Sequence, residues 1–459
     1  MRVLLVLPVL PALALLVACQ RPPRADLDPK ATFRRLVEEP GPDLPDGDLA
    51  ALLTRAAYAH HPELDRAVAE WEGARAAIWS AGARPNPSLS VGVQHTEGVP
   101  RPWAFSAGLG LPIETGGKRS HRIRIAEAQA KAAELRVAET AWRLRLDIHR
   151  QVLAWQAARE AAAIAQGESR LLAELLQVQD RRLSLGEVGR PERDATLLAA
   201  RHAEDQARQA QAAEERAALD LAQVAGLAPA SLLPHLGKEG PLVTVLGEGP
   251  VPPPSEALLN RLDIRQVLLG WEANEAALDL EVAKRIPNLR LGPGYTWDPA
   301  GSQWNFGLSL ELPLLDRREG PIAEALARRK ALEAELRLRE TQALLGAEAA
   351  QKRAAQARLR WGAATQALQA AQTRETQTQR AFALGEDDRA ARLGAAREVL
   401  ALRRQALGAW LEAGQARLDL EAAFQRPLDP HEQPYSGRLQ LGERSEPKRA
   451  ARAIAGGAR

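Results

Sequence analysis

Residues 69–93 read AEWEGARAAIWSAGARPNPSLSVGV, and residues 269–293 read LGWEANEAALDLEVAKRIPNLRLGP. Trp71 and Trp271 stand 200 positions apart, and the pairs Pro85-Asn86 and Pro287-Asn288 stand 202 apart. Leu111-Pro112 recurs as Leu312-Pro313 at 201, and Leu185-Gly186-Glu187 returns as Leu384-Gly385-Glu386 at 199. Four signposts in one order, drifting by only a few residues, mark an internal duplication, and such a period fixes the architecture before any local reading does. The organisation that follows is a leader over 1–18, a linker over 19–47, a first copy over 48–227, a Pro/Gly-rich connector over 228–253, a second copy over 254–426 and a tail over 427–459. The tail has little apolar periodicity.

Each copy reads as helix, strand pair, very long helix, turn, long helix. The strands declare themselves by a period of two. Leu89, Val91 and Val93 alternate with Ser88, Ser90, Gly92 and Gln94; Trp103, Phe105, Ala107, Leu109 and Leu111 alternate with Ala104, Ser106, Gly108 and Gly110. In the second copy Leu289, Leu291, Tyr295 and Trp297 alternate with Arg290, Gly292, Gly294 and Thr296, and Trp304 through Leu312 alternates with Asn305, Gly307, Ser309 and Glu311. Every strand thus has one greasy and one small or polar face, near the ~9–11 residues that cross a bilayer. The aromatics Trp103, Phe105, Tyr295, Trp297, Trp304 and Phe306 gather at the loop end of the hairpins, where an aromatic girdle belongs. A small soluble sandwich would not usually put its large rings at one end. Pro293 has no N–H for the ladder and predicts a local bulge. Four strands cannot close a lipid-spanning barrel, since the smallest have about 8, so a barrel built from them is shared among copies of the chain.

The first long helix starts near Gly117 and meets no proline until Pro191. Its apolar series is Ala126, Ala130, Ala133, Val137, Ala141, Leu144, Ile148, Val152 and Trp155, with steps of three and four and an 11-residue echo that keeps a helix nearly straight. At ~1.5 Å per residue it runs about 100 Å, a length suited to a conduit or to a coiled-coil stalk.

Composition narrows the functional classes. Charged residues make up 26% of the 459 and aromatics only 4%, which describes long solvated helices rather than a thick globular core. With 61 Lys+Arg against 58 Asp+Glu, the net charge of +3 is too small for a nucleic-acid footprint. The single Cys excludes an internal disulfide and a Cys-based zinc site. The eight His include no i, i+4 zinc pair; the adjacent His60 and His61 diverge on a helix and read as solvated or packed imidazoles. A lone initiator Met gives no thioether relay for Cu(I). Neither a G-x-S-x-G elbow nor a G-x-x-x-x-G-K-[ST] loop occurs, so no catalytic residue, metal centre or cofactor is expected.

Met1, Arg2 and the apolar run from Val3 to Ala18, interrupted by Pro8 and Pro11, match a secretory leader better than a spanning helix. The run ends in Leu16-Val17-Ala18-Cys19, which resembles a bacterial lipobox and implies palmitate-type acylation of Cys19. Gln20, by the same resemblance, favours delivery to the outer membrane.

Taken together, Asn86-Pro87 before the first strand, Leu111-Pro112-Ile113-Glu114-Thr115-Gly116-Gly117-Lys118-Arg119 after the second, Leu185-Gly186-Glu187 followed by Asp194, and the second copy of this pattern resemble the TolC-like family of outer-membrane efflux channels across about residues 48–426. The Gly-Gly-Lys-Arg element is most similar to the CzcC-type cation-efflux members. The resemblance implies a mainly α fold with a small β part: long antiparallel helical hairpins forming an α-barrel tunnel in the periplasm, and four strands per chain in the 12-stranded transmembrane β-barrel of a homotrimer. It also implies a periplasmic adaptor protein and an inner-membrane pump of RND type as partners, outer-membrane lipid around the barrel and no nucleic acid. Gly116 and Gly117 allow the tight change from strand to helix, and Lys118 and Arg119 are expected at the strand–helix junction, facing water or an acidic neighbour. The tips Leu185, Gly186, Glu187, Leu384, Gly385, Glu386, Asp387 and Asp388 are implied to narrow the pore and dock the adaptor. Relatives with acidic apertures carry the carboxylates farther into the last long helix, where Ala391 to Gly394 supplies Arg392 instead. Asp387 and Asp388 therefore read either as an acidic ring or as solvated turn charges. The function implied is passive conduction of divalent metal cations; a drug or small-molecule channel of the same family and a periplasmic coiled-coil adaptor lipoprotein are the alternatives.

Overall fold

The computed structural model describes residues 48–236, 253–256, 258, 261–298, 300–385 and 389–428, with 28, 30, 31 and 34. The first copy runs α1 (Leu49–His60), α2 (Pro62–Gly82), β1 (Ser88–His95), β2 (Trp103–Ile113), α3 (Lys118–Ser184) and α4 (Arg190–Ala225), followed by α5 (Pro229–Leu236). A 3-10 turn at Pro254–Glu256 precedes the second copy: α6 (Leu262–Ala283), β3 (Leu289–Asp298), β4 (Gly301–Leu310), α7 (Glu319–Leu384) and α8 (Arg389–Phe424). The duplication is metric as well as sequential, for α3 and α7 have 67 and 66 residues and α4 and α8 have 36 each. Among the described residues no helix is long and apolar enough to cross a membrane.

Pro62 splits what reads as one helix before the first strand. Its missing N–H is tolerated at a helix start, and His61 caps that start by accepting the Glu63 N–H on Nδ1 at 3.3 Å. His61 is therefore a cap as well as a half-buried imidazole packed beside Gly226. The stretch after Gly226, expected to be a loose connector, holds α5, whose Leu232 and Leu236 are buried with Leu49, Leu53, Ile148 and Leu221.

The long helices pack as the periodicity demands. All nine residues of the α3 series are buried: Ala133, Val137 and Ala141 lie against Leu64, Ala67 and Trp71 of α2, and Leu144 through Trp155 lie against α1 and α4. Farther along, Leu153, Ala157 and Ile164 meet Leu407, Trp410 and Leu418 of α8. Helix α3 is thus the spine, flanked by α2, α4, α6 and α8, while α7 packs on α6 and α8. The buried face of α7 is made only of alanines: 343, 347, 350, 357, 364 and 371. Small side chains let α7 and α8 approach closely, and a seven-residue step keeps that stripe in line.

The four strands form one antiparallel sheet in the order β1-β2-β3-β4, leaving β1 and β4 as edges. The expected bulge at Pro293 is absent. Pro293 pairs with Phe306 in an unbroken β3–β4 register. On the β2 side the pairing lapses between Gly108↔Gly294 and Leu111↔Leu291 and resumes without a slip. The proline drops ladder bonds rather than inserting a residue, which the flanking pairs tolerate. β4 ends at Leu310, two residues short of the Leu312 expected from alternation.

Candidate functional site

Register puts every large apolar strand residue on one face. Leu89, Val91 and Val93 stand opposite Leu109, Ala107 and Phe105; Phe105 and Ala107 stand opposite Trp297 and Tyr295; Tyr295, Pro293, Leu291 and Leu289 stand opposite Trp304, Phe306, Leu308 and Leu310. This face is bare within one chain: Trp304 is 83% exposed, and Leu89, Val91, Val93, Phe306 and Leu308 are exposed as well. The six girdle aromatics lie together at the loop end. Phe105 and Trp297 have ring centroids 5.9 Å apart, Tyr295 and Trp304 4.9 Å, and His95 meets Trp103 edge-on at 4.7 Å. The Tyr295 hydroxyl donates to Ser302 Oγ at 2.8 Å, so its polar end is satisfied where its ring is apolar.

The opposite face is built of small polar groups. Ser88, Ser90 and Ser106 stand across from Gly110, Gly108 and Gly92. Ser90 Oγ donates to the Gly108 carbonyl at 3.1 Å, and a methyl at Gly92 or Gly110 would come within 2.6 Å or 2.5 Å of a serine Oγ. Each serine thus occupies the room that a facing glycine leaves free.

The junction between sheet and helices is a tie between the two copies. Gly116 and Gly117 adopt φ of 65° and 70°, the left-handed region that glycine enters without cost from Cβ. A Cβ on Gly116 would also sit 3.0 Å from the Ala283 carbonyl. Lys118 is turned from water and bound by neutral acceptors, although the Glu114 charge lies close enough to act on it. It is 7% exposed, and Nζ donates to the Ile286 carbonyl and to Asn288 Oδ1, each at 2.5 Å. Burial holds its pKa below that of an ordinary lysine, with Glu114 pulling the other way. Arg119 donates to the Gly82 carbonyl at 2.6 Å, again a backbone partner rather than a carboxylate. A lysine buried this way needs fixed acceptors, and the chain reversal before β3 supplies them.

Sequence reading missed the rest of this knot. Thr115 Oγ1 donates to the Pro287 carbonyl at 2.6 Å. Arg122 makes a two-pronged pair with Glu114, at 2.5 and 3.0 Å, and also donates to the Ala81 and Ala83 carbonyls at the end of α2. The hydrogen bond from Arg122 holds the Glu114 carboxyl below the usual range. The recurring Pro-Asn pairs were the available signal, since Asn288 is the second copy's member. Where the first copy turns with Gly117, the second turns with Arg318 at φ 59°, its N–H bound by Asp316 Oδ1 at 2.8 Å.

At the far end, α3 stops in a glycine cap: Gly186 has φ 76°, its N–H reaches the Leu183 carbonyl, and the Glu187 N–H reaches the Arg182 carbonyl. Gly385 ends α7 with φ 77°. The leucines before them, Leu185 and Leu384, are 67% and 76% exposed. Glu187 pairs with Arg182 at 3.3 Å. Glu386, Asp387 and Asp388 lie outside the described residues, as does Cys19. A further missed feature sits close by: Arg389 and Arg392 both bind Glu174 of α3, Arg389 at 2.8 Å. The Arg389 hydrogen bond, with Arg392 beside it, holds the Glu174 carboxyl below its usual range. Arg392 also stacks over Phe382 at 5.3 Å.

Among the described residues no group of three or more His, Cys, Asp or Glu is placed to hold a metal ion. A family model described as outer membrane efflux protein matches residues 53–227 and 254–424. The cobalt-zinc-cadmium resistance protein CzcC of Cupriavidus metallidurans is 26% identical over 288 residues, covering 61% of this chain and 66% of that protein, just under two thirds of its length. Among solved structures, the outer membrane protein VceC of Vibrio cholerae superposes with a TM-score of 0.67 at 18% identity, over 83% of this chain and 97% of VceC. The outer-membrane channel OprN superposes with a TM-score of 0.70 at 18% identity, over 89% and 98% of the two chains. At these identities the solved structures speak for the fold.

Proposed function

The chain belongs to the outer membrane efflux protein family, and on that premise we propose that it is the exit channel of a tripartite efflux system. Three chains would close their edge strands β1 and β4 on one another, giving 3 × 4 strands from the four of each chain, with Cys19 acylated in the outer membrane. The observation that carries this reading is the two-faced sheet. An apolar face left bare over four strands, ending in aromatics, suits hydrocarbon, and a Gly/Ser face suits a water-filled interior. Unpaired edges in an apolar setting must be satisfied by another strand.

In this assembly the helical hairpins would form the periplasmic tunnel, and the exposed tips at Leu185 and Leu384 would meet a periplasmic adaptor. An inner-membrane pump of RND type would supply the energy, and the chain would conduct passively, with no catalytic step. The likeness to a cobalt-zinc-cadmium resistance protein supports divalent metal cations as the cargo.

The test is a deletion strain challenged with Zn, Co, Cd, Ni, Cu, dyes and detergents, alongside migration of the purified protein in detergent. Sensitisation to the divalent cations alone, restored by the cloned gene, is the expected result. Sensitisation to dyes and detergents with metals unaffected would keep the channel and replace the cargo by small organic molecules. A soluble monomer after removal of residues 1–19 would sink the channel itself.

A further inference from the structure

The inner face of the sheet carries almost no charge. Along β1, β2 and β4 it presents Ser, Gly, Gln, Ala, Pro and Asn; along β3 it presents Gly292, Gly294 and Thr296 between two charged ends. Asp298 at the loop end is spent on its own turn, accepting from the Ala300 and Gly301 N–H groups at 2.8 and 3.1 Å. The other end is Arg290. It stands across from Pro112 on one side and Ser309 on the other, at the foot of the sheet where the strands give way to helices.

Below it opens a cleft of about 880 Å³, lined in part by Lys118, Arg122, Lys284, Arg318 and Glu311. The other cations there are committed. Lys118 is held by Ile286 and Asn288, Arg122 by Glu114, Lys284 by Glu281 at 2.5 Å, and Arg318 lies 3.7 Å from the same Glu281. The Arg290 guanidinium and the Glu311 carboxylate have no hydrogen bond or ion pair with any described residue. An exposed arginine on an otherwise neutral wall is not needed to hold the fold, and its face is the one turned away from the aromatics, so it does not reach lipid headgroups.

We propose that Arg290 sets the ionic selectivity of the passage at the foot of the sheet, with Glu311 as its counterweight. This rests on the channel reading: with the chain repeated around a closed barrel, the two residues become rings of opposite sign at the mouth between tunnel and barrel. Rings of fixed side-chain charge select ions in pores by sign. Their reach is a Debye length, about 10 Å at 0.1 M salt and about 3 Å at 1 M, so the effect belongs to dilute salt. For a cationic cargo Arg290 is a brake on entry to the barrel that Glu311 offsets.

The experiment is reversal potential in planar bilayers, using the full chain purified in detergent and a KCl gradient. Arg290→Gln is expected to raise the K⁺/Cl⁻ permeability ratio about twofold near 0.1 M salt, with the difference fading near 1 M. Glu311→Gln is expected to shift the ratio the opposite way, and Arg290→Lys to leave it unchanged. Pores of normal conductance whose ratio is the same in Arg290→Gln and the unaltered chain would overturn the inference while leaving the channel standing. Should Arg290→Gln fail to insert, Glu311→Gln, which is outside the ladder, decides by the same readout. Absence of any pore from the unaltered chain would overturn the channel reading and this inference with it.

Discussion

Lys118, the first residue of the long helix α3, donates its ammonium to Oδ1 of Asn288, which stands 170 positions later and directly before β3. One part-buried hydrogen bond thus fastens the helix of the first copy to the hairpin of the second. With the Ile286 carbonyl as its second acceptor, Lys118 sets where the sheet sits on the helices.

Replacing Lys118 by Met keeps the bulk, takes this donor from the Ile286 carbonyl and leaves Asn288 Oδ1 with only the Thr115 N–H at 3.4 Å. Loss of a charged, buried hydrogen-bond donor costs about 2–3 kcal/mol, and Asn288→Ala should cost less, since the Ile286 carbonyl still binds the lysine. Thermal unfolding in detergent, run as a double-mutant cycle, is expected to show a coupling of about 1 kcal/mol or more. Additive losses would mean that the two side chains do not act on each other.

Gly116 and Gly186 separate backbone strain from crowding. Both have positive φ, 65° and 76°, but only at Gly116 would an added methyl meet neighbours: the Ala283 carbonyl at 3.0 Å and Ile286 Cδ1 at 3.2 Å. Gly186→Ala should cost about 1 kcal/mol for the left-handed conformation. Gly116→Ala should cost at least twice that and also loosen the Lys118 tie. Equal losses in unfolding midpoint would show that the junction yields freely.

His61 is expected to make the fold acid-sensitive. Its Nδ1 must be unprotonated to accept the Glu63 N–H, and burial pulls its pKa below 6.5 despite the opposing Glu63 and Asp65. The unfolded chain therefore takes up a proton at higher pH than the folded one. The stabilising contribution is whole above the ordinary histidine value and is lost as pH falls through it toward the folded value. Melting temperature should drop as pH falls through and below the ordinary histidine value of about 6.5, and His61→Asn, which keeps a capping acceptor, should flatten that slope. Parallel slopes would assign the acid sensitivity elsewhere.

Arg145 and Glu421 form a pair with side chains only 3% and 4% exposed, at 2.8 Å, joining α3 to α8. Glu421 also accepts the Leu428 N–H at 3.3 Å. Arg145→Met alone leaves the buried carboxylate to Arg417, 3.6 Å away on the same helix, and should cost about 3 kcal/mol, the low end for breaking a buried pair. Adding Glu421→Gln removes the charge, keeps an acceptor for Leu428 and should restore much of the loss. A double variant no better than the single one would show that the pair contributes through packing.

The repeat, the four strands with their faces, the α3 spine and the glycine turns were legible in the residues, because each is written as a local period or a local φ requirement. Alternation assigns a face to Phe105 or Trp304 without any partner, and a step of three or four buries Val137 and Ile148 whatever they meet. Only the tertiary structure decided what Lys118, Arg122, Arg392 and His61 do. Asn288 and Glu174 stand 170 and 218 positions from Lys118 and Arg392 and are brought there only by how helices cross and chains reverse; Glu114 and the Glu63 N–H stand 8 and 2 positions from Arg122 and His61, but a charged or capping side chain carries no period that names its partner. Pro293 shows the same division: the missing N–H is a property of the residue, but whether the sheet answers with a bulge or a lapse in pairing depends on the strands beside it.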